Sequence, residues 1–364
     1  MGIISAAVNI PIGFFCRYSY DHGSLVKRFP SSERVFRGGG DHLSVTQAGA
    51  RGGRTSWQRW ATYMKRYGTL YLLLLVPIAF FIVFRYTPMA YILMAFKKNN
   101  IIKPPWQVDW AKNHGFEWFI KAFRDQQFIR ALWNTIKLNL LDLACGFPMP
   151  IIMALLLNEL TFKRFKKFTQ TVLYLPHFLS WIIISGLALR LLADNDGLFN
   201  ILYKRMMGNP DAVIPFLSKP NWWTGTYIAL GIWKEAGWGT IIYLAALTGI
   251  SPELYEAAAV DGAGRFRRIW HVTLPGLRPT IITLLIMRLG YILGSEFDRP
   301  MAMGNKLVTN VSTVLSIYVY QKGINGGGQF SMTTAVGLFQ SVVGVLFLFG
   351  ANFLAKRFGE RGIM

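Results

Sequence analysis

Six stretches of this chain are apolar over lengths that leave little choice of environment. A helix that crosses a bilayer needs about 20 predominantly apolar residues. Tyr67 to Phe84 carries no charge and is flanked by Lys65-Arg66 and Arg85, and Phe168 to Leu189 is equally uncharged. Three further stretches are apolar but interrupted, one by Lys137 and Asp142, one by Lys234-Glu235 at its middle and one by Arg278 and Arg288, and a fourth lies within the uncharged run from Gly323 to Ala355. Spans are therefore expected at about 67–88, 131–158, 168–191, 224–247, 273–294 and 331–355. The fold class that follows is an all-α integral membrane protein with six transmembrane helices.

Charge supports a membrane rather than a soluble setting. Only 16% of the 364 residues are charged, against about 25% in ordinary soluble domains. The formal net charge is nevertheless +21, which in a soluble chain would point to nucleic acid. Here the cations cluster beside the apolar runs, as on the cytoplasmic edges of membrane proteins. Lys163-Arg164-Phe165-Lys166-Lys167 follows the second run, Arg265, Arg267 and Arg268 follow the fourth, and Lys356, Arg357 and Arg361 follow the sixth. With six spans these fall on one side together with residues 1–66, so both termini are expected in the cytoplasm of a bacterial cell, the chain lying in its inner membrane. The loops near 97–130, 194–223 and 295–330 then face outward. Two cysteines, Cys16 and Cys145, leave no basis for a disulfide framework.

Residues 1–66 differ in kind and are expected to form a largely disordered cytoplasmic tail. Arg37-Gly38-Gly39-Gly40 and Arg51-Gly52-Gly53-Arg54 show no helical period, and Ile3 to Phe15 is too short to span and lacks a signal peptide's basic leader. Met64 is an alternative start, which would make this segment an upstream artefact.

The stretch 251–275 carries the most information. Ser251 suits an N-cap and Pro252 the first helical position, while Gly262 is placed to stop the helix in a left-handed conformation. A short helix with the Ala-rich body Glu256-Ala257-Ala258-Ala259 is expected, small enough on its surface for another protein to approach closely, with Glu256 as an anionic handle. Asp261-Gly262-Ala263 and, farther on, Leu274-Pro275 follow it.

These residues, at this spacing, resemble the EAA motif of permease subunits in binding-protein-dependent ABC importers. The resemblance covers roughly residues 68–364. Phe84-Arg85-Tyr86-Thr87-Pro88-Met89, Trp233-Lys234 with Gly237-Trp238 leading to Tyr243, and Thr334 to Phe339 are similar to sugar permeases of the oligosaccharide and polysaccharide type, among them alginate importers. Phe297-Asp298-Arg299-Pro300-Met301-Ala302-Met303 departs from that pattern, where a more apolar loop ending in Asn-Pro is usual. The resemblance implies the ABC importer permease fold, with 251–275 as the coupling loop. Glu256, Ala257, Ala258, Asp261, Gly262, Ala263, Leu274 and Pro275 would sit at the joint with a cytoplasmic ATPase. It further implies a second homologous permease, two ATPase subunits that bind ATP and magnesium, and an extracytoplasmic sugar-binding protein.

The chain itself is not expected to be a catalyst or to hold a cofactor. It contains no Gly-Lys pair and hence no phosphate-binding P-loop, and its five histidines have no metal-ligand spacing. Ionisable groups within spans are costly and commonly face a cavity or a protein partner. Lys234 and Glu235, beside Trp233 and Trp238, read either as the polar, aromatic wall of a sugar pathway or as a structural pair at a helix break. Asn134, Tyr243 and Arg288 are further pathway residues on this reading. The alternatives are an ABC permease for another solute such as amino acids, and an ATP-independent secondary transporter.

Overall fold

The computed structural model describes residues 56–294, 296–357, 359 and 362. The tail and start-site expectations for 1–55 lie outside the described residues. The chain falls into two units, 1–68 and 69–364; the site belongs wholly to the second.

The described residues form helices joined by loops and turns, with one isolated β-bridge between Lys97 and Trp110. The main helices are α1 (Ser56–Phe81), α2 (Gln126–Leu141), α3 (Pro148–Glu159), α4 (Lys163–Tyr174), α5 (Trp181–Leu192), α6 (Pro220–Leu247), α7 (Pro252–Val260), α8 (Leu274–Gly290), α9 (Asp298–Met303), α10 (Leu315–Gly323) and α11 (Phe330–Arg357). Residues 56–66 are thus helical, in contrast to the disordered tail expected there. Ring pairs one turn apart line this first stretch of α1, Trp57 stacked on Trp60 at 5.0 Å and Tyr63 tilted against Tyr67 at 4.6 Å.

Four helical runs are long and apolar enough to cross a membrane: Tyr63–Phe96, Gln126–Glu159, Arg265–Gly290 and Phe330–Arg357. A further candidate is a broken pair, Lys163–Phe178 and Trp181–Leu192, bent by 100°; the span expected at 168–191 falls on this pair. Pro176 and the Ser180 N-cap, which accepts from the Ile183 N–H, end one helix and start the next. The 28-residue α6 has the length to span, but Lys234-Glu235 and its glycines keep its apolarity below that of the four.

Three runs continue straight through prolines at which a helix would ordinarily break. The ring of a proline clashes with the carbonyl four residues back, and its nitrogen donates no bond. In each case a single π turn precedes it: Ile82–Tyr86 before Pro88, Asp142–Gly146 before Pro148, and Ile269–Thr273 before Pro275. The bonds widen to a five-residue step, Thr87 to Ile82, Phe147 to Asp142 and Leu274 to Ile269, which moves the obstructing carbonyl aside. The span expected at 273–294 consequently starts at Arg265, and most of the expected 251–275 loop is helix.

Packing joins α3 to α6 and α8 to α11. Gly237 of α6 lets the backbone of α4 at Leu173 come so close that a Cβ would overlap the Leu173 carbonyl. Trp223, fully buried, donates its Nε1–H to the Met303 carbonyl at 2.9 Å and centres the larger core with Tyr227, Ile184 and Val308. By contrast, every residue from Thr69 to Leu93 is exposed.

Candidate functional site

Two regions carry chemistry. The first is α7. Ser251 occupies the N-cap position and Pro252 the first turn, as expected, although the Ser251 hydroxyl makes no capping bond. At the other end the Gly262 N–H donates to Ala259 O at 3.1 Å and the Ala263 N–H to Ala258 O at 2.9 Å. This pair of bonds is a Schellman stop, and Gly262 takes φ +72° to make it. Glu256, Ala257, Asp261 and Gly262 are exposed, while Ala258 and Ala263 are half-buried. Leu274 and Pro275 lie within the Arg265–Gly290 run, beyond the π turn.

The helix is tied to that run by the Tyr255 hydroxyl, 3.2 Å from Oγ1 of the buried Thr273. Apolar side chains that follow Glu256 in the chain have nothing to cover them among the described residues: Val260 is 89% and Phe266 88% exposed. An anionic helix framed by bare apolar groups has the character of a protein-docking element.

The second region is a cavity of about 430 Å³ among α2, the Asp142–Gly146 turn, α6, α8 and the segment 291–314. Of the residues expected along a pathway, Glu235, Trp238, Tyr243 and Arg288 line it. Three others do not. The Asn134 amide donates to the Asn310 and Thr313 carbonyls, both at 2.9 Å, and so moors the chain ahead of α10. Trp233 points to the exterior, 44% exposed. Lys234 is buried and donates to the His177 carbonyl at the bend between α4 and α5, 5.7 Å above the Trp181 ring. It is the structural pair at a helix break, whereas its neighbour Glu235 belongs to the cavity.

One wall is built around Trp238. Its ring lies flat on His177, with centroids 4.5 Å apart and planes 2° from parallel. His177 Nδ1 is 3.0 Å from Glu235 Oε2, and Glu235 Oε1 is 3.4 Å from Lys234 Nζ. A second part of the lining is built around Arg299, 5% exposed. Its Nη1 donates to Asp142 Oδ2 at 2.7 Å, and its Nη2 to Asp142 Oδ1 at 3.3 Å and to Tyr227 O at 2.6 Å. The guanidinium also lies 3.7 Å over the Tyr227 ring. Gly231 makes this possible, since a Cβ there would coincide with Nη2 of Arg299.

Asn139, Asp142, Tyr227, Tyr291, Glu296 and Arg299 therefore line the site without having been singled out as pathway residues. Asp142 and Arg299 had a signal, one as a charge inside a span and the other in the loop that departs from the sugar-permease pattern. Tyr227 and Glu296 had none.

Residues 146–360, which contain α7 and most of the cavity lining, match the family of binding-protein-dependent transport system inner membrane components. The chain belongs to this family. The protein LplB of Bacillus subtilis (strain 168) is 43% identical over 304 residues, 84% of this chain and 93% of that protein. The polygalacturonan/rhamnogalacturonan transport system permease protein YteP of the same organism is 43% identical over 294 residues, 81% and 89% of the two chains. Two solved structures have the same fold. One is a bacterial ABC transporter involved in import of the acidic polysaccharide alginate, with TM-score 0.72 and 39% identity over 82% of this chain and 99% of that one. The other is a bacterial alginate ABC transporter in complex with alginate pentasaccharide-bound periplasmic protein, with TM-score 0.74 and 38% identity over 84% and 100%. The chain is thus a multi-pass permease component of a bacterial inner membrane.

Proposed function

We propose that this chain is one permease half of an ATP-driven importer of oligo- or polysaccharides, with acidic sugars of the alginate or polygalacturonan kind as the substrate class. The cavity carries the reading. Flat aromatic faces such as Trp238 offer stacking surfaces for sugar rings, and Glu235, Glu296, Asn139 and Arg288 supply donors and acceptors for hydroxyl and carboxylate groups. The similarity to permeases of alginate and polygalacturonan transport supports the sugar class.

The cavity is half a pathway, and a second, homologous permease supplies the other half. The unbroken exposure from Thr69 to Leu93 fits a first span covered by lipid and by that partner. The full set is six spans, with α4 and α5 forming the broken third, α6 the fourth, and both termini in the cytoplasm. Two ATPase subunits bind ATP and magnesium and dock on Glu256, Ala257, Asp261 and Gly262. Leu274 and Pro275 stiffen the helix that carries the motion onward to the cavity. Nucleotide-driven closure draws the α7 helices together and turns the cavity outward, where the binding protein delivers sugar; hydrolysis returns it inward.

The test is reconstitution of the complete importer in liposomes, with ATPase activity and uptake of alginate oligosaccharide measured against loaded binding protein. Stimulation and uptake are expected with the acidic sugar. Unchanged stimulation and uptake in the Glu256→Ala and Gly262→Val variants would remove the coupling role of α7.

A further inference from the structure

Residues 291–294 and 296–314 roof one end of the cavity and are held to the helices around it at several places. Near the start of the roof, the Asn139 amide donates to the carbonyls of Ile292 at 2.7 Å and Gly294 at 2.9 Å. Near the end of α9, Trp223 holds the Met303 carbonyl. Between these neutral moorings stands Arg299, whose bond to Asp142 is the one ion pair between roof and wall among the described residues. We propose that the Arg299–Asp142 pair is the lock on this end of the pathway, a positioning pair that must part for the roof to lift and sugar to pass. The proposal rests on the transport function proposed above.

Three observations single this pair out from its neutral neighbours. Both partners line the cavity, so hydroxyl and carboxylate groups of an entering sugar reach the same guanidinium and exchange places with Asp142. The Nε–H of Arg299 has no partner, which leaves a donor available as the exchange begins. A buried ion pair is also poor evidence of stabilisation by itself, because desolvation offsets much of its attraction, and a switching role is its better-attested use. Finally, α6 is bare at Gly231 only to admit the guanidinium. The site is fitted to the locked state.

Two variants attack the lock differently: Asp142→Asn removes the charge on the wall, and Gly231→Ala displaces the guanidinium while leaving every charge in place. In the reconstituted importer without binding protein, both are expected to raise basal ATPase activity by about tenfold, because an unlocked roof shifts the population toward the outward state. The further stimulation by loaded binding protein shrinks correspondingly. Roof position is read separately by cysteines at Leu138 and Val314, which share one buried core, joined by a short bifunctional reagent after Cys16 and Cys145 are replaced by serine. Cross-linking is expected in the resting state and lost on vanadate trapping with ATP, and Asp142→Asn lowers it at rest. Variants that assemble normally but keep wild-type basal and stimulated rates overturn the proposal, as does cross-linking that is the same at rest and trapped. If the variants fail to assemble, the cross-linking of the otherwise intact chain decides. That measurement needs nucleotide and no sugar, so a failed sugar assignment would appear in the uptake assay alone.

Discussion

Lys234 donates from α6 to the carbonyl oxygen of His177, at the point where the third apolar segment turns through 100°. The bend leaves that carbonyl without a helical partner, and an ammonium reaching in from the neighbouring helix satisfies it. The same lysine anchors Glu235, which holds the His177 ring against Trp238. A structural bond and a cavity wall thus share one chain of contacts.

Lys234→Met should therefore weaken the fold before it affects transport. It leaves the His177 carbonyl unpaired in a buried place, a loss of about 1–3 kcal/mol. The thermal midpoint of the purified permease complex in detergent should fall, with bound lipid and detergent held constant. An unchanged midpoint would mean that water already serves the carbonyl.

Trp238→Ala removes the stacking face and the ring that packs on His177. Sugar delivered per ATP hydrolysed should drop about tenfold, the effect of losing roughly 1.4 kcal/mol of contact, while Trp238→Phe retains most of it. Paired measurements of uptake and phosphate release check this, and equal coupling in the alanine variant would place the sugar elsewhere.

Asp125 links the start of α2 to α10. Burial opposes its ionisation, but bonds from the Gln127 N–H and the Tyr318 hydroxyl, together with Lys322, hold its carboxyl below the usual range. A depressed carboxyl stabilises the fold above its unfolded pKa of about 4, and that contribution disappears as pH falls toward the folded value. Wild type should therefore be more stable than Asp125→Asn at pH 7, and the two should converge as pH drops below about 4. Thermal midpoints across that range measure the gap; a gap independent of pH would contradict the linkage.

Gly262→Ala tests backbone conformation alone. Nothing lies within 4 Å of the added Cβ, so the whole effect comes from forcing φ +72° on an L-residue, about 1–2 kcal/mol. The α7 helix should fray, and ATPase stimulation should fall without loss of sugar binding by the binding protein. Normal stimulation would show that the Schellman stop is dispensable.

How much of this was legible in the sequence depends on range. Apolar runs and turn chemistry are local properties, so the membrane character, the α7 helix and its Gly262 stop could be read from neighbouring residues. The prolines misled: Pro88 and Pro275 look like helix ends, and only the π turns ahead of them keep the helices continuous. The bend at His177 was hidden because Phe168 to Leu189 is uniformly uncharged. The cavity was legible in part because a charge inside a span, such as Glu235 or Arg288, stands out. Lys234 stood out equally and proved to serve the bend. Arg299 and Asp142 are 157 positions apart, and no local pattern joins them.

The π turns have one more effect. Each adds a residue to its helix without adding a turn, and a residue is worth about 100° of rotation. Closing Asp142–Gly146 to an ordinary ladder with every residue kept would swing everything beyond it by that angle. Phe147 and Pro150 would leave the cavity while Leu138 and Asn139 kept their places. The azimuth of the lower wall is thus set by Pro148, a residue that does not itself line the cavity.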